Sequence, residues 1–502
     1  MHLQRVQVPD FRVLKDVDIT FEKDFNPRVF PLGSQNGGGK STLLQLIFVL
    51  LHCSTNSDRL FALKNLLNGF YLRKDENKRV IAIIDVWDGE KVVQMEFFLC
   101  AENHINQMLN DFSNGSNNLN DNKTSLEDID NDNKDLYFHS FYWFATLEDE
   151  QQKISRFSNE EEDLKNIIEQ FSYRHSDTTP SGKFPDNLKN RLLNLGIKFD
   201  SIGVEFSDPN SLGKIEKETK KQLLDRHNKI RIEAKRTYEY VRKLTESLKL
   251  SNIKYISSDI YQIGKSEPDI QAVLCRITNL GTEDIEQFLE SLSNKVFLAA
   301  PSTQIFLFLS RESRKSLFIN RNIYSSELIS INSKLSGLFT YDFLAVDTLI
   351  AAFKNARDID FREALKTGEY GDSYKKLLKN LDFLMHNKQV NLRNDFSGLT
   401  FKINRFDDNV ELYPEDLSHG ELKRLSIYIW LKHNNIEDAI VLMDEIDIAL
   451  HPEWQYQIVS DLIEWVPSNQ YILATHSYEL CNALTPSHVK VLEPKLTERH
   501  SD

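Results

Sequence analysis

Cysteine is scarce: Cys53, Cys100, Cys275 and Cys481 are the only four in 502 residues, and they lie far apart. None forms a C-x-x-C pair, which argues against a zinc ribbon and for free thiols in a reducing cytosol. No apolar run reaches the roughly 20 residues that a membrane helix needs. The longest one follows a glycine-rich loop and is broken by Gln45. The opening stretch, Met1 to Val8, lacks the apolar segment of a signal peptide. These absences imply a soluble, cytoplasmic protein with no membrane contact. Positive charge is also in deficit, with a net charge of −14. An acidic chain is not broadly drawn to nucleic acid, although a local basic surface still could be. No internal repeat, zinc-ligand spacing or Ser/His/Asp constellation stands out.

What is present is an ordinary globular composition, 40% hydrophobic and 27% charged. The length is ample for a buried core and for about three domains. Strands are expected between residues 3 and 32, where Leu3, Val6 and Val8 and then Val17, Ile19 and Phe21 alternate, with a turn at Pro9-Asp10-Phe11. The short strand Val29–Leu32 leads into the glycine-rich loop. A helix from Gly39 to His52 is apolar nearly all round and should be buried. Further strands are expected at Val80–Trp87, Val92–Leu99, Val296–Ala300 and Ile305–Leu309. Residues 103–134 are rich in Asn, Asp and Ser and read as a disordered insertion. The aromatic run Tyr137–Phe144 reads as a core strand. From Leu147 to Leu250 the pattern is helical. Within it, Lys214–Lys254 carries 13 Lys/Arg against 6 Asp/Glu. That basic helix reads either as a solvated face or as a contact for nucleic acid or an acidic partner. A mixed helical region then runs to Asn387, and the last hundred residues read as a compact α/β unit.

Five motifs carry chemistry. The first is Ser34-Gln35-Asn36-Gly37-Gly38-Gly39-Lys40-Ser41-Thr42. Glycines let successive backbone N–H groups turn inward on a phosphate, Lys40 can reach the β- and γ-phosphates, and the Ser41 hydroxyl suits Mg²⁺. The following helix adds its positive N-terminal end. Ser34 stands where the first glycine of a P-loop is usual. The second motif is Ile440-Val441-Leu442-Met443-Asp444-Glu445, a buried strand ending in two carboxylates. Asp444 would hold Mg²⁺, and Glu445 would polarise the attacking water. The third is Leu417-Ser418-His419-Gly420-Glu421-Leu422, followed by Lys423 and Arg424. Ser418 and Glu421 also have the spacing of a helix capping box. The fourth is Ala449-Leu450-His451-Pro452. The fifth, Tyr471–Ser477, is a strand that delivers His476 to its end.

The third motif resembles the signature sequence of ABC-type ATPases, where a Ser, a Gly and a helix start grip the γ-phosphate. His419 departs from the transporter pattern and is similar to the RecF, SMC and OLD branch. In that likeness Ala449–Pro452 occupies the D-loop position and His476 that of the switch histidine. The family's Q-loop glutamine is not placed; Gln94, Gln151 and Gln152 are weak candidates. Roughly 375 residues separate Lys40 from the signature, which resembles the split heads of that branch. The resemblance implies an α/β fold, a split ABC-type P-loop ATPase head with an inserted helical arm. It divides the chain into an N-terminal lobe (1–102), the insertion (103–136), a strand and helical arm (137–295), a mixed helical region (296–395) and a C-terminal lobe (396–502).

The implied ligands are ATP and Mg²⁺. ATP would be bound by Asn36, Gly37, Gly38, Gly39, Lys40, Ser41, Thr42, Ser418, Gly420 and Glu421. The metal would lie on Ser41 and Asp444, and Glu445 and His476 would act in catalysis. Heads of this kind pair head to tail, which implies a homodimer or a higher oligomer. About 26 residues follow His476, too few for the TOPRIM nuclease domain of OLD proteins. The chain therefore looks like the ATPase subunit of antiphage systems such as Septu, PARIS or retrons, controlling a separate nuclease or toxin. The alternative is a RecF-like DNA repair or recombination ATPase.

Overall fold

The computed structural model describes residues 1–34, 37–55, 59–73, 76–101, 104, 221, 225, 248–261, 269–310, 313–315, 330–331, 334–341, 346–385, 388–393, 395–405 and 408–492. The chain divides into two compact units. One comprises 1–105, 250–256 and 271–502, and the other 106–249 and 257–270. Nearly all of the second lies outside the described residues. So do the Asn/Asp-rich insertion, the Tyr137–Phe144 strand and most of the basic stretch. Where that stretch is described, it ends its helix at Leu250 and turns into strand by Ile253.

The first unit is α/β. Its antiparallel sheet contains β1 (His2–Phe11), β2 (Leu14–Thr20), β4 (Lys78–Trp87), β5 (Val92–Ala101) and the parts of β6 (Ile253–Tyr261) and β7 (Asp269–Thr278) that fall within 250–256 and 271–502. Their order is β2-β1-β4-β5-β7-β6. The expected turn at Pro9–Phe11 falls later, because Phe11 still pairs with Leu14. Arg12, with φ 53, makes the turn instead.

A second sheet is parallel and decides where chemistry can occur. It contains β3 (Val29–Gly33), β8 (Val296–Ala300), β9 (Leu338–Thr340), β13 (Ile440–Asp444), β14 (Gln470–Thr475) and β15 (Lys490–Val491), in the order β15-β3-β14-β13-β8-β9. Strands from the two ends of the chain thus alternate in one sheet. A parallel sheet covered on both faces should read as continuous apolar runs, and Ile440–Met443 is such a run. Leu442, Ile472 and Leu298 pack into a core with α1 (Lys40–Cys53) and α2 (Leu60–Leu67). Val441, Leu473 and Ala299 point the other way, into a core with α6 (His419–His433) and α7 (Pro452–Trp465).

Three more helices, α3 (Ile285–Ser293), α4 (Val346–Thr367) and α5 (Ser373–Met385), and a small antiparallel sheet of β10 (Gln389–Leu392), β11 (Leu399–Arg405) and β12 (Asp408–Leu412) complete the unit, with the short α8 (Tyr478–Asn482) after β14. The strand expected at Ile305–Leu309 is instead a 3-10 helix, Ser302–Phe308. Pro301 ends β8 and its carbonyl accepts from Gln304 N at 2.9 Å, which starts the helical turn. Among the described residues, no helix is long and apolar enough to cross a membrane.

Candidate functional site

Register brings the motifs together. Gly33 at the end of β3 pairs with Thr475 at the end of β14, and Ala474 pairs with Asp444 at the end of β13. The glycine-rich loop, the paired carboxylates and His476 therefore leave the sheet side by side at its carboxyl edge, where open α/β sheets bind ligands. Gly37 and Gly39 have φ of 82 and 88, a region that favours glycine. A Cβ on Gly39 would also lie 2.6 Å from Leu14 Cδ2 and 2.8 Å from Val13 Cγ2. The tip between β1 and β2 thus packs on the loop and allows only glycine there. Asn36 lies outside the described residues. Thr42 is half-buried in the first turn of α1.

Lys40 is buried, and its ammonium is tied to the loop it closes. It donates to Ser34 Oγ at 3.0 Å and Ser34 O at 3.3 Å, and lies 2.9 Å from His476 Nε2. Burial lowers its pKa, while Asp444, Asp447 and Glu445 oppose that. Two motifs 436 residues apart in sequence thus meet at one ammonium.

Ser41 Oγ donates to Asp444 Oδ1 at 3.0 Å. Burial pushes the Asp444 carboxyl up to about 7; Ser41 pulls it down and Glu445 pushes it further up. Asp444 Oδ2 is buried with no hydrogen-bond partner among the described residues, and so is Asp447 Oδ1. A buried carboxylate oxygen with no partner, beside a serine hydroxyl, is costly unless something cationic completes it. This oxygen-only pair suits Mg²⁺, which prefers one or two carboxylates together with substrate phosphates.

Glu445 follows on a turn, with φ 50. Its Oε1 accepts from Gln304 Nε2 at 2.8 Å. Gln304 was not among the expected site residues. Gln94 is committed elsewhere, donating to Asp85 Oδ1 at 2.9 Å, and Gln151 and Gln152 lie outside the described residues. The signal that could have found Gln304 was its place four residues beyond the strand Val296–Ala300. That strand pairs with β13 in parallel, Ala299 opposite Met443. Gln45, the polar break in the apolar helix, is buried and donates to the Gln304 carbonyl.

The signature residues form a separate group. Ser418 caps α6: its Oγ accepts from Glu421 N at 3.3 Å, and its own N–H donates to Glu421 Oε2 at 3.0 Å. The capping box read from the spacing is therefore present. Glu421 also pairs with Lys388. Gly420 is buried, and a Cβ there would lie 2.8 Å from the Ala449 carbonyl and 3.1 Å from Trp454. Among the described residues, Ser418 and Glu421 bond to each other and to Lys388, not to the P-loop. Behind them, the buried Arg424 donates to Asp461 Oδ2 from Nε at 3.1 Å. The loop after β13 is pinned to His476 as well, whose N–H donates to Asp447 Oδ2 at 3.4 Å.

A glycine-rich loop between a parallel strand and a buried helix, with acids at the end of a sheet strand, defines the class: an α/β P-loop nucleotide-binding fold assembled from both ends of the chain. Residues 279–482 match the family described as "AAA domain, putative AbiEii toxin, Type IV TA system". That span holds Gln304, Ser418, Asp444 and His476, and Lys40 precedes it. The chain is 45% identical over 54 residues to the "Retron Vc95 probable ATPase" of Vibrio cholerae serotype O1 biovar El Tor, covering 11% of this chain and 10% of the relative. It is 32% identical over 97 residues to the "Retron Ec83 probable ATPase" of Escherichia coli, covering 17% and 18% respectively. The matches thus span under a fifth of either relative. Among solved structures, the Smc head domain of Pyrococcus furiosus bound to the C-terminal domain of ScpA aligns at 12% identity. The alignment covers 96% of this chain and 91% of that one, with a TM-score of 0.29.

Proposed function

We propose that this chain binds ATP and hydrolyses it to ADP and phosphate. The observation that carries the reading is the convergence of Lys40, Ser41, Asp444, Glu445 and His476 at one sheet edge, with Asp444 Oδ2 left unpartnered among the described residues beside Ser41 Oγ. Lys40 and the loop N–H groups bind the phosphates. Ser41 and Asp444 would hold Mg²⁺, which would supply charge neutralisation for the phosphates. Glu445 takes the proton of the attacking water, and Gln304 holds the Glu445 carboxylate in place. His476 lies where a γ-phosphate beside Lys40 would meet it.

The wider role is proposed on the relatives' names. Two of them are retron probable ATPases, and the matched family is described by a toxin of a toxin–antitoxin system. These names support a regulatory ATPase of an antiphage system that controls a separate toxic effector. Because, among the described residues, Ser418 and Gly420 do not bond to the chain's own P-loop, we also infer a homodimer in which each signature closes on the partner's ATP. Such a two-fold arrangement closes on itself. The domain division read from sequence, with 1–102 and 396–502 as the two lobes of a head, fits this reading. Glu445→Gln tests the hydrolytic role. It should bind ATP while turning over on the order of 10²–10⁴ times more slowly. Wild-type turnover by that variant would remove Glu445 from the mechanism.

A further inference from the structure

Lys423 lies between the two groups of site residues. It sits on α6, just past the signature, and is buried with only 6% of its surface exposed. Its ammonium donates to the backbone carbonyls of Glu445 at 2.8 Å and Ile448 at 3.0 Å. It also lies 4.2 Å from the ring centre of Tyr341, a cation–π contact that holds the charge in place. A buried ammonium is costly to desolvate, so its hold on the turn that carries Glu445 calls for an explanation.

That turn has little freedom. Glu445 and Ala449 both hold positive φ, 50 and 68, which non-glycine residues adopt only when their surroundings impose it. Lys423 grips the turn at its start and its middle. Gly420 supports its end, since the Ala449 carbonyl lies too close to tolerate a Cβ. The first two turns of α6 therefore hold the segment 445–449 at three points. The helix start that carries Ser418 cannot shift without moving the backbone of Glu445.

We propose that Lys423 is a positioning residue that couples the signature of a chain to the catalytic carboxylate of the same chain. The inference rests on the proposed head-to-tail ATPase. There, Ser418 senses the γ-phosphate on the partner head while Glu445 serves the chain's own ATP. Occupancy of one site therefore sets the geometry of the other, and hydrolysis is cooperative between the two. The coupling runs through rigid, mutually packed elements with defined contacts, the physical requirement for such transmission.

The test compares wild type with Lys423→Met and Lys423→Arg in the full chain, by steady-state ATP hydrolysis across ATP concentrations. Wild type should show a Hill coefficient above one and at most two, the number of sites. Lys423→Met keeps the apolar stem and removes the donor. Its kcat should fall by up to about 10²-fold, the cost of misplacing a catalytic group by an ångström. Its KM should change little, and its Hill coefficient should drop to one. Lys423→Arg, which can reach both carbonyls, should restore cooperativity. If Lys423→Met does not fold, Lys423→Gln takes its place: its polar end is easier to bury beside carbonyls, but its side chain is shorter than lysine's and does not reach both of them, so the same loss of cooperativity is expected. A non-cooperative wild type, or a Lys423→Met that keeps the wild-type Hill coefficient, would overturn the coupling and leave the ATPase reading intact. A wild type that hydrolyses no ATP would overturn that reading instead.

Discussion

The starts of α1 and α6 are both helix N-termini beside a proposed phosphate, yet they are built in opposite ways. At α1 the N-cap is Gly39, which makes no side-chain cap hydrogen bond. Around it stand a buried lysine, a serine and groups from three strands. At α6 the N-cap is Ser418, which closes a complete capping box with Glu421. An N-terminus without a side-chain cap, ringed by cationic and hydroxyl groups, is ready to take an anion. One that satisfies itself is stable without a ligand and presents its serine outward. The difference supports the proposal that α1 is the end that takes the chain's own nucleotide and that α6 is free to meet a nucleotide held elsewhere.

The largest expected effect removes the anion-binding character of α1. Lys40→Ala should weaken ATP binding on the order of 10²–10⁴-fold, from the loss of charge-assisted hydrogen bonds. Equilibrium binding of a fluorescent ATP analogue measures this. Retained affinity would show that α1 is not the nucleotide end. Next comes the support beneath α6. Arg424→Leu takes the guanidinium away from the buried Asp461, and should cost about 3–5 kcal/mol in denaturant unfolding. ATP binding to the protein that remains folded should be unchanged, since the pair lies on the α6 side.

The far end of α1 supplies a pH test. His52 is buried there, its Nε2 lies 2.9 Å from the Val296 carbonyl, and Arg59 is beside it. Burial, then Arg59, pushes its pKa down to about 3. The unfolded chain, with histidine near 6.5, binds this proton first. Stability should therefore fall as pH drops from about 6.5 towards 3, by about 2 kcal/mol at pH 5. His52→Gln should flatten that part of the melting-temperature profile; an unchanged slope would assign the acid sensitivity to other groups. The smallest effect belongs to the α6 cap. Ser418→Ala should cost about 1 kcal/mol of stability, measured by thermal melting. A cost near zero would show that the box is not a working cap.

These contrasts also mark what the sequence made legible. β3, β13 and β14 could be read because strands buried on both faces are short apolar runs, and each run ends in a residue of distinctive chemistry. β7 could not: Gln271 to Cys275 are all buried, so no alternation marks the strand, and a polar residue opens the run. Gln304 was hidden for a different reason. It reaches Glu445 from a 3-10 turn, 141 residues away in sequence, with no motif around it. Lys423 was visible beside the signature, but its partners are backbone carbonyls, and a sequence does not show which carbonyls a side chain will meet. The capping box at Ser418 was readable because it is purely local.

The central claim is that α1 of one chain and α6 of another form a single ATP site, and complementation tests it most directly. Lys40→Ala and Ser418→Arg chains should each be inactive alone. Mixed in equal amounts, they should recover measurable ATP hydrolysis, at most about a quarter of the wild-type rate, since random pairing makes half of the dimers mixed and each of those has one intact site. No recovery, with mixed dimers shown to form, would contradict the account.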